Sequence, residues 1–305
     1  MFAINKLSRQ LAALAIAGGL VATASAAPRS KDADERSGVR TVTVTVVKDD
    51  GSGAQPALDA SEFAVYRGDR KQQIVGVKGP SEAPVNVAVL IQDGLVSGVA
   101  NEIKTIRTFI NGLPEGSKVA VGYLRNTGLQ LRQPLTADRR AATKALRIPL
   151  GSIDAGSAPF LGLEEAIRLF DGVEGRNQII LISNGLELNR DLSSASPTNN
   201  IDLDRAIAAA QRRGIPVWSL FANAPGAFGR GSVVVLYGQG SLQKLSDETG
   251  GEAFFTGTGF VSFDRALEAI ADELGDQYVI TYTGEGKGKL EVTTETANVK
   301  LRHAE

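Results

Sequence analysis

Pro84-Val85-Asn86-Val87-Ala88-Val89-Leu90-Ile91-Gln92-Asp93-Gly94-Leu95-Val96-Ser97 is the stretch whose reading decides the fold. Its nearly unbroken apolar run is the pattern of a central parallel strand buried on both faces. The run stops at an acidic residue followed by Gly. In an open α/β sheet the carboxyl ends of the strands are where ligands bind. Asp93 therefore has two readings, as an oxygen ligand for a divalent cation with Ser97 beside it, or as a cap for the helix that begins near Gly98.

Downstream, strands and helices alternate. Ile103, Ile106, Phe109 and Ile110 mark one face of a helix, and Lys118–Leu124 is the next strand. A short strand at Leu129–Arg132 and helices over 137–146 and 161–170 follow, then a second buried strand, Gln178–Ser183. Helix 202–213, strand 216–221, helix 241–249, strand 252–255 and helix 263–274 complete residues 81–275. Strands alternating with helices predict a doubly wound, mostly parallel sheet with helices on both faces.

The two ends read differently. Val39–Val47 alternates Thr with Val, the period of a strand with one wet face, and Phe63–Tyr66 and Gln73–Val77 flank a turn at Arg67-Gly68-Asp69. Tyr278–Thr283, Lys289–Thr294 and Val299–Arg302 alternate likewise. Neither end is long enough to enclose a core. Residues 38–80 and 276–303 are therefore expected to pair as one accessory antiparallel β unit.

Lys6 and Arg9, the apolar run Leu11–Ala22 and the small residues Ala24-Ser25-Ala26 have the layout of a signal peptide over 1–26, with a flexible lead-in over 27–37. This predicts an exported protein, periplasmic or extracellular, with no membrane span after cleavage. The 33 basic and 34 acidic residues nearly balance and no basic block stands out, so nucleic acid is not an expected partner. Cys is absent and His303 is the only histidine. Disulfides and thiolate sites are excluded, and no nucleophile–base pair is visible, so the chain is not expected to be an enzyme.

Three segments rich in Gly, Ser, Asn and Pro, 151–159, 184–200 and 222–240, are long for a compact domain and belong with Asp93 on one rim. Within the last, Ser232-Val233-Val234-Val235-Leu236-Tyr237 is an apolar run that reads as an extra strand tucked against the sheet or as an exposed patch, with packing the expectation.

Thr41–Val47 leading to Ser61–Tyr66, the strand into Asp93, Gln178–Gly185, Leu242–Phe254 and Tyr278–Tyr282 occur in an order and spacing that resemble a von Willebrand factor type A domain. The resemblance is to the exported bacterial group of VWFA-related Acidobacterial-type proteins and covers nearly the whole mature chain. It implies the α/β fold above and a metal-ion-dependent adhesion site, with Asp-x-Ser-x-Ser in one loop, Thr in a second and Asp before Gly in a third. Here Asp93 and Ser97 match, but Leu95 stands in the first Ser position. Ser157 is the hydroxyl near the expected Thr, and Asn184 replaces the usual Asp. Glu187, three residues on, is a substitute carboxylate whose direction the sequence leaves open.

One oxygen has become hydrocarbon and one charge has gone, and affinity in such sites follows ligand charge. The expectation is a degenerate site without cofactor. The rim residues Asp93, Ser97, Ser157, Asn184 and Glu187 would then serve non-catalytic recognition of a protein or cell-envelope partner. The alternative is Mg²⁺ or Ca²⁺ held by Asp93, Ser97, Ser157 and Asn184, its shell completed by a partner's carboxylate.

Overall fold

The computed structural model describes residues 38–48, 57–126, 128–151, 157–223, 232–255, 262–284 and 286–305. The signal peptide and lead-in expected over 1–37, and the centres of the loops at 152–156 and 224–231, lie outside the described residues.

The opening stretch is strand β5 (Val85–Gln92), buried at all eight positions. It pairs in parallel with β6 (Lys118–Arg125) on one side and β8 (Arg176–Ser183) on the other. Beyond β8 come β9 (Val217–Phe221) and β10 (Ala253–Phe255), both parallel, while β7 (Gly128–Thr136) closes the far edge antiparallel to β6. The six-stranded sheet is thus largely parallel, as the alternation of strands and helices predicts.

Its two faces explain why the run in β5 is continuous. Val85, Val87, Val89 and Ile91 face helices α1 (Val99–Gly112), α2 (Arg139–Ala145) and α6 (Asp264–Leu274), in one cluster with Ile106, Ile110, Ala142 and Ile270. Ala88 and Leu90 face α3 (Pro159–Ile167), α4 (Ile201–Arg213) and α5 (Ser232–Thr249), in a second cluster with Phe160, Leu163, Ile207 and Leu245. A strand covered on both faces has no wet side, so apolar residues fill both from Val87 to Ile91.

The helix ends follow local chemistry. Asn200 caps α4 by accepting from the Asp202 and Leu203 amides at 3.1 and 3.0 Å, and Gly214 ends it in the left-handed region at φ +59°. The sequence reading differs most at α5, which begins at Ser232 and not at 241. Ser232–Tyr237 is therefore the start of a helix and not a strand. Its Val234 is buried against Leu186 and Ala195, while Val233 and Leu236 point to solvent. A six-residue apolar run carries no period that separates a strand from a helical turn.

The chain ends do form the antiparallel unit. One sheet has the order β13 (Val299–His303), β1 (Val39–Lys48), β11 (Gln277–Thr283), β4 (Ile74–Lys78), and a smaller one the order β12 (Leu290–Thr294), β2 (Phe63–Arg67), β3 (Arg70–Lys71). Val42, Val44, Phe63, Val65, Ile280 and Val292 fill the space between them. A buried polar chain joins this unit to the α/β sheet: Trp218 Nε1 donates to Gln178 Oε1 at 2.9 Å, Gln178 Nε2 to Gln277 Oε1 at 2.7 Å, and Gln277 Nε2 to Thr45 Oγ1 at 3.1 Å. Arg302 adds ion pairs to Glu252, at 2.6 Å, and to Glu273, with its guanidinium 5.5 Å from the centre of the Trp218 ring. Among the described residues no helix is long and apolar enough to cross a membrane.

Candidate functional site at the rim of the parallel sheet

The carboxyl ends of β5, β8 and β9 bring three loops together. Val96 N donates to Asn223 O, Ala222 N to Ser183 O and Leu188 N to Ser157 O, at 2.8, 3.0 and 2.9 Å. Helix α5 closes on them by backbone contact: a Cβ on Gly238 would stand 2.1 Å from Asn184 O, and one on Gly185 would stand 2.2 Å from Gly238 O. No side chain fits at either position.

Asp93 is buried. Helix α1 is capped at Gly98 without any side-chain bond, so Asp93 is not its cap. Its two carboxylate oxygens instead take a two-pronged ion pair from Arg147, Nη1 to Oδ1 at 2.7 Å and Nη2 to Oδ2 at 2.8 Å. Leu150 N donates to Oδ1 as well, at 2.8 Å. The Arg147 guanidinium lies 3.7 Å from the centre of the Tyr123 ring, and the Tyr123 hydroxyl both donates to Arg147 O and accepts from Arg147 N. The hydrogen-bonded Asp93 holds the Arg147 pKa above its usual value, and burial raises that of Tyr123.

Ser97 is exposed, and Leu95 turns inward to join the apolar cluster around Val99 and Ile103. Ser157 and Asn184 are buried in a network centred on Gln92. Gln92 Nε2 donates to Ser157 Oγ at 3.0 Å, while its Oε1 accepts from Ser183 Oγ at 2.6 Å and from Asn184 N at 3.1 Å. Asn184 Oδ1 accepts from Leu186 N at 3.0 Å in a local turn. The structure thus brings Ser157 and Asn184 together, leaves Ser97 in solvent, and gives Asp93 to an arginine.

Glu187 is only 3% exposed and faces Asp202, which is 1% exposed. Asn189 Nδ2 donates to Glu187 Oε1 at 3.1 Å and lies 3.4 Å from Asp202 Oδ2, and Arg190 pairs with Oδ2 at 3.1 Å. Glu187 Oε2 and Asp202 Oδ1 are both buried without a conventional donor. Arg205 Nη1 lies 3.5 Å from Oδ1. Burial, with Asp202 next to it, pushes the Glu187 pKa up to about 8, so at neutral pH Glu187 is mostly protonated.

Sequence reasoning missed Arg147, Gln92 and Asp202. Arg147 is far from Asp93 in the chain, and nothing in its neighbourhood marks it. Gln92 had a visible signal, a polar residue as the last position of a strand buried on both faces.

Exposed hydrophobic side chains stand among the polar residues of these loops. Nine large hydrophobic side chains are exposed among the described residues, and seven lie on this rim: Ile148, Leu150, Leu192, Ile201, Val233, Leu236 and Phe255. The other two, Val75 and Leu131, are on edge strands.

Neither a protein-family model nor a curated protein sequence matches the chain. Among solved structures it is similar to the hypothetical protein BatB of Bacteroides thetaiotaomicron, with 18% identity and a TM-score of 0.42 over 62% of this chain and 97% of that one. It is also similar to the vWF domain of the type V pili tip protein Mfa5 of Porphyromonas gingivalis, with 13% identity and a TM-score of 0.45 over 62% and 94%. Manganese-loaded TRAP of Plasmodium vivax matches with 11% identity and a TM-score of 0.40 over 80% and 98%. Likenesses of this degree concern the path of the chain and carry no argument about ligand, partner or activity.

Proposed function

We propose that the chain is an exported, non-catalytic recognition module that binds a protein or cell-envelope partner through the rim at the carboxyl ends of its parallel strands, without a metal ion. The observation that carries this reading is the distribution of exposed apolar side chains, seven of nine on one rim and the two others on edge strands. Soluble proteins keep contiguous apolar surface small, and larger patches mark interaction sites. Their central anchors are desolvated when the partner docks.

The metal-free part rests on the donors. Both oxygens of Asp93 face Arg147, the oxygen of Asn184 is held by Leu186 N, and Leu95 supplies hydrocarbon. This set does not fit a divalent cation, which needs several convergent oxygens with net negative charge. A guanidinium is a fixed, permanently charged substitute that needs no loading. The reading as a non-enzyme rests on the same rim, where the hydroxyls of Ser157 and Ser183 meet an amide, which cannot act as a base.

The test is capture from an envelope extract of the source organism, comparing wild type with the Val233→Asp, Leu236→Asp double variant and with Val75→Asp as an off-rim control. The reading expects the rim variant to lose the proteins that wild type and control retain, with or without EDTA. Equal capture by all three would refute it.

A further inference from the structure

On the face away from the rim, two turns distant in sequence meet. The turn Arg67-Gly68-Asp69 packs on the loop 286–289 between β11 and β12. Gly68 N donates to Lys289 O at 2.9 Å, a Cβ on Gly68 would stand 3.0 Å from Lys287 O, and Gly288 sits at φ +118°. Beside this joint is a cleft of about 370 Å³ between the β unit and the last turns of α4 and α5. The buried Tyr282 and Leu290 line it, and Arg40, Arg67, Arg212 and Lys289 edge it, against Glu248 and Glu305. Through Arg67 it continues into an open depression of about 550 Å³, lined by Asp69, Arg70, Lys71 and Lys287 among the described residues.

Among the described residues, six cationic side chains besides Arg70 thus meet three acidic ones on a chain whose net charge is −1. Folding accounts for part of the excess. Arg212 lies in the last turn of α4, where a cation offsets the helix dipole, and Lys289 pairs with Glu305. It does not account for Arg40 and Arg67, which have no carboxylate partner among the described residues. Both face the Tyr282 hydroxyl, whose pKa burial raises while Arg67 and Arg40 pull it down.

We propose that this cleft binds a small soluble anion carrying two or more phosphate groups. Guanidinium groups engage phosphate oxygens in pairs, and Arg40 and Arg67 flank a buried hydroxyl that can donate to the same group. Lys71 and Lys287, in the depression beyond Arg67, supply cations for a second phosphate. The volume falls in the range of small-molecule sites. None of the exposed large apolar side chains lines the cleft, so nothing there would enter a bilayer. That favours an anion free in solution over a lipid headgroup.

The experiment measures the melting temperature and calorimetric binding of the full chain with pyrophosphate in low-salt buffer, against NaCl at matched ionic strength. A parallel arm uses sedimentation with phosphatidylglycerol vesicles. Pyrophosphate at saturation is expected to raise Tm by several degrees beyond NaCl. The Arg40→Gln, Arg67→Gln variant should lose that rise, and the vesicles should leave the chain in the supernatant. Arg40→Gln alone, at an exposed position, serves if the double variant proves unstable, and should weaken binding. A response no larger than that to NaCl, or one unchanged in these variants, would overturn the proposal. So would Arg67-dependent sedimentation with vesicles without a pyrophosphate response. The Val233→Asp, Leu236→Asp variant should respond like wild type, which keeps this test separate from that of the rim.

Discussion

Glu187→Gln removes a rim carboxyl whose proton is tied to folding. Glu187 has a pKa of about 8 in the folded chain against an ordinary value of 4.5, first because it is buried and then because Asp202 faces it. Between those two values the folded state holds a proton that the unfolded state has lost, so stability falls as pH rises from about 4.5 to about 8 and is level above that. The displacement corresponds to about 5 kcal/mol. Gln reproduces the protonated form: its Oε1 can accept from Asn189, and its amide can donate to Asp202 Oδ1, now without a conventional donor. Urea unfolding at pH 5, 7 and 9 reads the effect. Wild type and variant should agree within about 1 kcal/mol at pH 5, and the variant should be the more stable by about 3–5 kcal/mol at pH 9. Burial raises Glu273 and Asp276 too, giving slopes of the same sign, so the difference between the two proteins isolates Glu187. Equal dependence on pH in both would refute the raised pKa of Glu187.

Arg147→Met would leave the Asp93 carboxylate with only the Leu150 amide and strip the cation from the Tyr123 ring, a loss of about 2 kcal/mol in urea unfolding given that Arg147 is 20% exposed; a change under about 0.5 kcal/mol would mean that water replaces the pair. Gly238→Ala should cost about 3 kcal/mol, because its Cβ would meet Asn184 O at 2.1 Å and force α5 away from the rim, and an unchanged denaturation midpoint would count against the close approach. Removing residues 276–305 takes away β11, which lies between β1 and β4, so hydrogen exchange over 39–48 should lose its protection; protection retained there would show that β1 is held by other means.

Much of the fold is legible because the periods differ. The continuous run of β5, the alternation in β1 and β11 and the three-four spacing in α1 each name their element. Ser232–Tyr237 fails because three consecutive valines favour a strand locally, while the helix is decided by tertiary contact, Val234 against Leu186 and Gly238 against Asn184. At the site, what each side chain can offer is legible and what answers it is not. Leu95 offers no side-chain oxygen and Asn184 no charge, and both facts are plain in the sequence itself. That Arg147 answers Asp93 depends on where the short helix α2 ends relative to β5, and no local pattern encodes that distance. The basic cleft is illegible for the same reason, since Arg40, Arg67, Arg212 and Lys289 come one each from β1, β2, α4 and the β11–β12 loop.

The most direct test of a metal-free rim is the melting temperature of the wild-type chain in ~1 mM Mg²⁺ against EDTA. A cation held at 100 times its dissociation constant would add about 2.7 kcal/mol and shift Tm by several degrees. With Asp93 paired to Arg147 and Leu95 in place of an oxygen, the two curves should coincide, and a response should at most emerge when Leu95→Ser, Asn184→Asp and Arg147→Ala are combined. A rise in wild-type Tm with Mg²⁺ that Asp93→Ala abolishes would contradict the account.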